Sequence, residues 1–171
     1  MKSKTINAMR RKDKEIVDVN DKINVVKKCK VCRLALSEND MPYIVPLNYG
    51  YIFENETLTL FFHGAVEGKK LDIIRINSNA CFEIDCDRNL VEGKTPLDYG
   101  FAFKSIIGFG KIVILEEANE KTYGLNQIMK HQTEKDTIYD FTNEQLKGVC
   151  VYKMLVETFT GKQSPAPKQP F

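Results

Sequence analysis

Six runs rich in Val, Ile, Leu, Phe and Tyr fill the chain between Cys29 and Thr160, and helix-like segments interrupt them at only two places. The runs cover Cys29–Leu36, Met41–Phe53, Thr57–His63, Ala80–Asp85, Phe103–Glu116 and Val149–Thr160. A doubly wound parallel sheet needs strand and helix in regular alternation, because each parallel connection must cross back over the sheet. Here helical patterns fall only at the start, after the third run and before the last, so the order predicts a six-stranded antiparallel barrel with helical covers.

The punctuation agrees with that reading. Ser37–Asp40 reads as a turn closing a hairpin between the first two runs, and Asn55-Glu56 as the next turn. Pro46 has no N–H to give a ladder, so its strand is expected to be bulged or at an edge. Gly108 and Gly110 inside the long fifth run suit a barrel corner, and Cys86–Tyr99 reads as a polar loop. Ile16, Val19, Ile23 and Val26 recur at spacings of three and four, which predicts an amphipathic helix over Asp13–Lys28. Further helices are expected at Lys69–Asn77, at Ala118–Lys130 and after the capping box that Thr142 and Gln145 form.

Several function classes drop out. The 25 basic and 23 acidic residues are spread along the whole chain, so no strong field gathers nucleic acid or a membrane surface. No apolar run approaches the roughly 20 residues of a membrane span. The first nine residues are basic without a following apolar stretch, unlike a secretory signal, and five cysteines in no even framework fit free thiols, so a cytoplasmic location is expected. Cys29-Lys30-Val31-Cys32 on a strand would point its thiols to opposite faces, and no second pair of zinc ligands stands beside it, so no metal site is expected. His131 is expected on the solvated side of its helix.

The segment His63-Gly64-Ala65-Val66-Glu67-Gly68-Lys69-Lys70 carries the most chemistry. A glycine-bearing turn from a strand into a helix that opens with two lysines offers free N–H groups and cations together, which is what a phosphate needs. The plain alternative is a surface turn with two solvated lysines.

Three stretches in this order, Pro46-Leu47-Asn48-Tyr49-Gly50-Tyr51, Leu60–Ala65 with Gly68-Lys69-Lys70, and Ser105–Lys111, resemble the 5-nitroimidazole resistance reductases, a branch of the pyridoxamine 5'-phosphate oxidase-like flavoproteins. The resemblance implies an FMN-binding split barrel over residues 9–163, with an extension at 1–8 and a flexible proline-rich tail at 164–171. It also implies a homodimer whose two flavin clefts are shared by both subunits. By the same resemblance Lys70 and the preceding Lys69 neutralise the FMN phosphate, Val45, Pro46, Leu47 and Asn48 lie along the flavin ring, His63 faces it, and Ser105 and Ile106 border the ribityl chain and phosphate. FAD in place of FMN stays open. The oxidase branch recognises its vitamin B6 substrate partly with a C-terminal tryptophan, and this chain has no Trp, so that substrate is not expected. Haem handling within the superfamily lacks an independent axial ligand here. The function expected is transfer of electrons from reduced flavin to a small organic acceptor such as a nitroaromatic, with His63 as the one candidate proton donor. The alternative is a flavin carrier or sensor without turnover.

Overall fold

The computed structural model describes residues 9–164; the segment 1–8 and all of the expected tail except Ser164 lie outside the described residues. Eight strands, all antiparallel, form one sheet. They are β1 (Glu15–Ile16), β2 (Val31–Glu38), β3 (Met41–Asn48), β4 (Gly50–Glu54), β5 (Thr57–Gly64), β6 (Asn79–Val91), β7 (Gly100–Leu115) and β8 (Cys150–Ser164). The helices are α1 (Val19–Lys28), α2 (Lys69–Ile76), α3 (Ala118–Thr133) and α4 (Asn143–Lys147). None of them is long and apolar enough to cross a membrane.

The sheet runs in the order β3-β2-β6-β7-β8-β5-β4, with β1 added to β8. Its two end strands, β3 and β4, are consecutive in the chain and separated by Tyr49 alone, so the sheet must curl until its edges come together. No ladder joins β3 to β4, and the barrel is split there. The run expected as one strand over Met41–Phe53 is therefore two. Tyr49, fully buried, fixes the corner, its hydroxyl donating to the carbonyls of Val26 at 2.6 Å and Cys29 at 3.0 Å. Those oxygens lie at the C-terminus of α1, where helix carbonyls have no intrahelical donor.

Inward-facing side chains fill the barrel, among them Leu34, Leu58, Leu60, Phe62, Phe82, Ile84, Ile106, Tyr152 and Met154. A smaller cluster of Phe61, Leu115, Ile128 and Val151 seats α3 on the outer side of the sheet. Phe61 and Phe62 thus serve opposite faces, as the two-residue period of a strand requires.

Two expectations are corrected, the extent of the first helix and the loop at Cys86–Tyr99. The first helix begins at Val19, because Asp18 caps it by accepting from the N–H groups of Asn20 and Asp21. Ile16 belongs instead to β1, opposite Gly161 of β8. Much of the segment read as a loop over Cys86–Tyr99 is strand, because β6 and β7 keep pairing to Val91 and Gly100 after a register shift between Cys86 and Asn89. Exposed Arg88 and Asn89 look like loop in sequence, but backbone pairing rather than packing holds this part of the hairpin. Pro46 sits in an edge strand with no bulge, since β2 and β3 pair without interruption from Val31↔Asn48 to Glu38↔Met41. The glycine corner in β7 is realised as a register shift against β8 at Phe109 and Gly110.

Candidate functional site

β5 runs past its partner β4, whose pairing ends at Gly50↔Phe61, so His63 and Gly64 are held only by β8, opposite Val151 and Cys150. The chain then turns through residues 65–68 into α2. Gly68, just before the helix, has φ +126°, a conformation that side chains with a Cβ rarely adopt, and open space where a Cβ would point. Among the described residues no side chain caps this helix start; the N–H groups of Leu71 and Asp72 donate to the Gly68 carbonyl at 2.8 and 3.2 Å, and those of Lys69 and Lys70 are left without an intrahelical acceptor.

Lys70 folds back over this turn. A Cβ on Gly64 would come within 2.7 Å of the Lys70 Nζ, so the ammonium lies directly over the glycine. The Nζ lies 5.4 Å from the centre of the Tyr152 ring, and that ring stacks on Phe62 at 5.6 Å. Burial lowers the Lys70 pKa, and among the described residues no carboxylate acts on it in return. The Tyr152 hydroxyl is buried with no hydrogen-bond partner among the described residues, and burial keeps it protonated, hence a donor. Lys69 is exposed, its Nζ 5.3 Å from the ring centre of Tyr43, which ties α2 to the free edge strand β3. His63 has its pKa lowered, first by desolvation and then by the charge of Lys70.

Uncapped N–H groups, two ammonium groups and an unpartnered phenol are all donors. An oxygen-rich anion would satisfy them together, as a phosphate monoester does.

β3 borders this corner. Val45 and Leu47 turn inward against the core, while Pro46 and Asn48 face out. Asn48 is already engaged, its Nδ2 donating to the Lys30 carbonyl at 3.1 Å and to Gln132 Oε1 at 3.0 Å. Ser105 and Ile106 lie elsewhere. They sit on β7, with β6 and β2 between them and β3, and the Ile106 side chain is fully buried in the barrel. Within one chain, then, Val45–Asn48, His63, Lys69 and Lys70 flank the split, and Ser105 and Ile106 do not.

A model of the family described as pyridoxamine 5'-phosphate oxidase matches residues 20–163, nearly all of the barrel and its covers. The chain belongs to that family. A candidate 5-nitroimidazole antibiotic resistance protein from Bacteroides thetaiotaomicron is 27% identical, with a TM-score of 0.74 over 87% of this chain and 86% of that one. The fold also matches an FAD and heme binding protein from Mycobacterium smegmatis, at 14% identity, TM-score 0.78, and 92% and 77% of the two chains. A flavocytochrome from Azotobacter vinelandii matches at 12% identity, TM-score 0.79, and 99% and 78%. No curated protein matches the sequence.

One histidine of this family member is not where the sequence put it. His131 is buried, with Nδ1 2.8 Å from the Tyr49 carbonyl, Nε2 3.0 Å from the Lys27 carbonyl, and its ring against Tyr49 and Tyr51. It faces the end of α1 and the β3–β4 corner rather than water, with a carbonyl beside each ring nitrogen, and the neutral ring donates to one of the two. It lines a cavity of about 870 Å3 between α1, β4 and α3, which none of the expected flavin residues touches. The lysines of that cavity are largely matched, since Lys28 pairs with Asp87, Lys30 with Glu134 and Lys130 with Asp136. The Lys70 corner, where the cations are unmatched, is the better candidate for an anion. Sequence reasoning missed Tyr152 and Tyr43, because only the register Phe62↔Tyr152 and the approach of β3 to α2 bring them to the lysines.

Proposed function

We propose that the protein is a flavoprotein that binds FMN at the β5–α2 corner and passes its electrons to a small organic acceptor such as a nitroaromatic. The observation that supports this most directly is the half-buried, carboxylate-free Lys70 beside the uncapped start of α2 and the unpartnered Tyr152 hydroxyl. These groups, with Lys69, would hold the phosphate. Bound flavin would supply the redox chemistry, accepting a hydride or electrons from a reductant and returning them to the acceptor. His63 stands at the end of β5, next to the phosphate turn, and its lowered pKa makes it a neutral imidazole near pH 7 that can take up or relay a proton there. One solved structure of the same fold is described as an FAD and heme binding protein, and a cleft open at the split would admit FAD too.

The same reading includes a cytoplasmic homodimer with shared clefts. Ile44 on β3, Ile107 and Phe109 on β7 and Leu155 on β8 are large apolar side chains exposed on the sheet, between 43% and 63% accessible. A patch of this kind marks an association surface. A second copy docked there would also supply what one chain lacks, bringing its own Ser105 and Ile106 strand to the flavin held by the first.

Titration of the purified protein with FMN tests the reading. Quenched flavin fluorescence at about one FMN per chain is expected, followed by faster reoxidation of the photoreduced complex by a nitroaromatic than by buffer. A protein that leaves FMN fluorescence unchanged would remove the proposal, and binding without accelerated reoxidation would leave only a carrier.

A further inference from the structure

β4 is an end strand of the sheet, paired with β5 and with no other described strand. Its two-residue turn into β5, with Asn55 at φ +48° and Glu56 at φ +61°, is of type I′, which closes on a hydrogen-bonded pair, here Glu54↔Thr57. Hydrogen-bonded and free pairs alternate along an antiparallel ladder, so Ile52 also points its N–H and C=O at β5, while Tyr51 and Phe53 point theirs away. Among the described residues no strand pairs with those four groups. The cavity of about 870 Å3 between α1, β4 and α3 runs along this open edge. Tyr51 and Phe53 pack toward the barrel core and Ile52 toward the α3 cluster, yet all three line the same cavity, which only a space beside the strand's edge can reach.

The charges around the cavity leave one of each sign over. Lys28 pairs with Asp87, Lys30 with Glu134 at 2.8 Å and Lys130 with Asp136 at 2.6 Å. Lys27 and Glu54 line the cavity as well, and neither has an ion-pair partner among the described residues. They stand at opposite ends of it. The Lys27 carbonyl lies 3.0 Å from His131 Nε2 and the His131 ring meets the Tyr51 ring at 5.0 Å, whereas Glu54 ends the strand at the turn. Three strand steps separate Tyr51 from Glu54, a span of about 10 Å.

We propose that this groove binds a short free peptide, about three residues long, that adds to β4 as an antiparallel strand. The peptide's main chain bonds to the outward N–H and C=O groups of Tyr51 and Phe53. Its terminal ammonium meets Glu54 and its terminal carboxylate meets Lys27. That polarity runs the peptide from the Glu54 end to the Tyr51 end, opposite to β4, which is the antiparallel sense. The two unmatched charges also set the length, because both termini are met only when they lie about one β4 span apart. None of the expected flavin residues lines the groove, so the inference is independent of flavin binding.

Titration calorimetry and equilibrium dialysis of the full chain with the tripeptide Val-Tyr-Val test it, since β-branched and aromatic residues favour a strand. Saturable binding at one peptide per chain is expected. Acetylating the peptide's N-terminus or amidating its C-terminus should each weaken it about fivefold, the scale of one exposed ion pair. Glu54→Gln should weaken the free peptide likewise and make acetylation harmless, and Lys27→Ala should do the same for amidation. Both side chains are exposed, and thermal melts report whether the variants fold. Lys70→Ala should leave peptide binding unchanged. No saturable binding by either method, equal binding of a peptide capped at both ends, or loss of binding in Lys70→Ala would overturn the site.

Discussion

Lys70 carries a charge that no carboxylate among the described residues neutralises. A half-buried ammonium without a carboxylate costs free energy, and the protein keeps it beside Gly64, where any larger residue would displace it. A charge-assisted hydrogen bond to phosphate is worth about 1.5–3 kcal/mol, so Lys70→Ala is expected to weaken FMN about ten- to hundredfold while leaving riboflavin, which has no phosphate, nearly unchanged. Fluorescence titration with both ligands checks this, and equal losses would place the lysine's role in folding. His63 predicts a different split. In flavin-saturated protein, His63→Ala should slow acceptor reduction by roughly 10² with FMN affinity within a few-fold, and unchanged stopped-flow rates would remove it as a proton donor. His131 works for stability instead. Burial lowers its pKa, outweighing the two carbonyls that favour the proton, so the folded chain holds it neutral while the unfolded chain takes up a proton near about pH 6.5. As pH falls, the unfolded state binds more protons, so this contribution is complete above that pH and is lost as pH drops through the lower folded value. The urea midpoint should fall between about pH 7.5 and pH 5, and fall less in His131→Gln. An identical decline in the variant would show that other groups carry it.

At the scale of elements, the seat of α3 on β4 is the tightest backbone approach near the barrel's split. A Cβ on Gly50 would overlap the backbone of Gln127 and Ile128, and neither partner is a flexible side-chain end that can move aside. Gly50→Ala should therefore force α3 away from β4 and cost at least about 1–3 kcal/mol, seen as a lower denaturation midpoint. A neutral result would mean that α3 can shift freely on the sheet. The same helix also clamps the end of α1, because His131 Nε2 lies 3.0 Å from the Lys27 carbonyl, while Gln132 Nε2 donates just beyond it to the carbonyls of Lys30 at 3.1 Å and Tyr49 at 2.8 Å. The polar end of α3 thus serves as a tertiary cap for α1, which ends without a glycine.

For the whole molecule, the shared-cleft dimer is the statement most open to test. Replacing Ile107 and Phe109 together with Glu puts charges on the exposed apolar face without touching the core, since both side chains are more than 40% accessible. Light scattering should then report the mass of one chain, and FMN affinity should drop with it, because each cleft would lose the half supplied by the partner. A monomer that still binds FMN as the wild type does would show that one chain makes the whole site.

Much of this was legible locally. The alternating runs, the glycine turn into Lys69-Lys70 and the capping box at Thr142 are signals written within a few residues, and local signals survive folding when packing does not oppose them. The split at Tyr49, the burial of His131 and the unpartnered Tyr152 hydroxyl beside Lys70 were not legible, though every residue involved was in view. Each depends on which element lies beside which, and residues as far apart as 62 and 152 or 49 and 131 share no pattern in the chain. The sequence by itself determined the kinds of element and the anion-ready turn. Only the closing of the barrel decided which side chains lost water and which donors were left without a partner, because burial belongs to the set of neighbours and not to the residue.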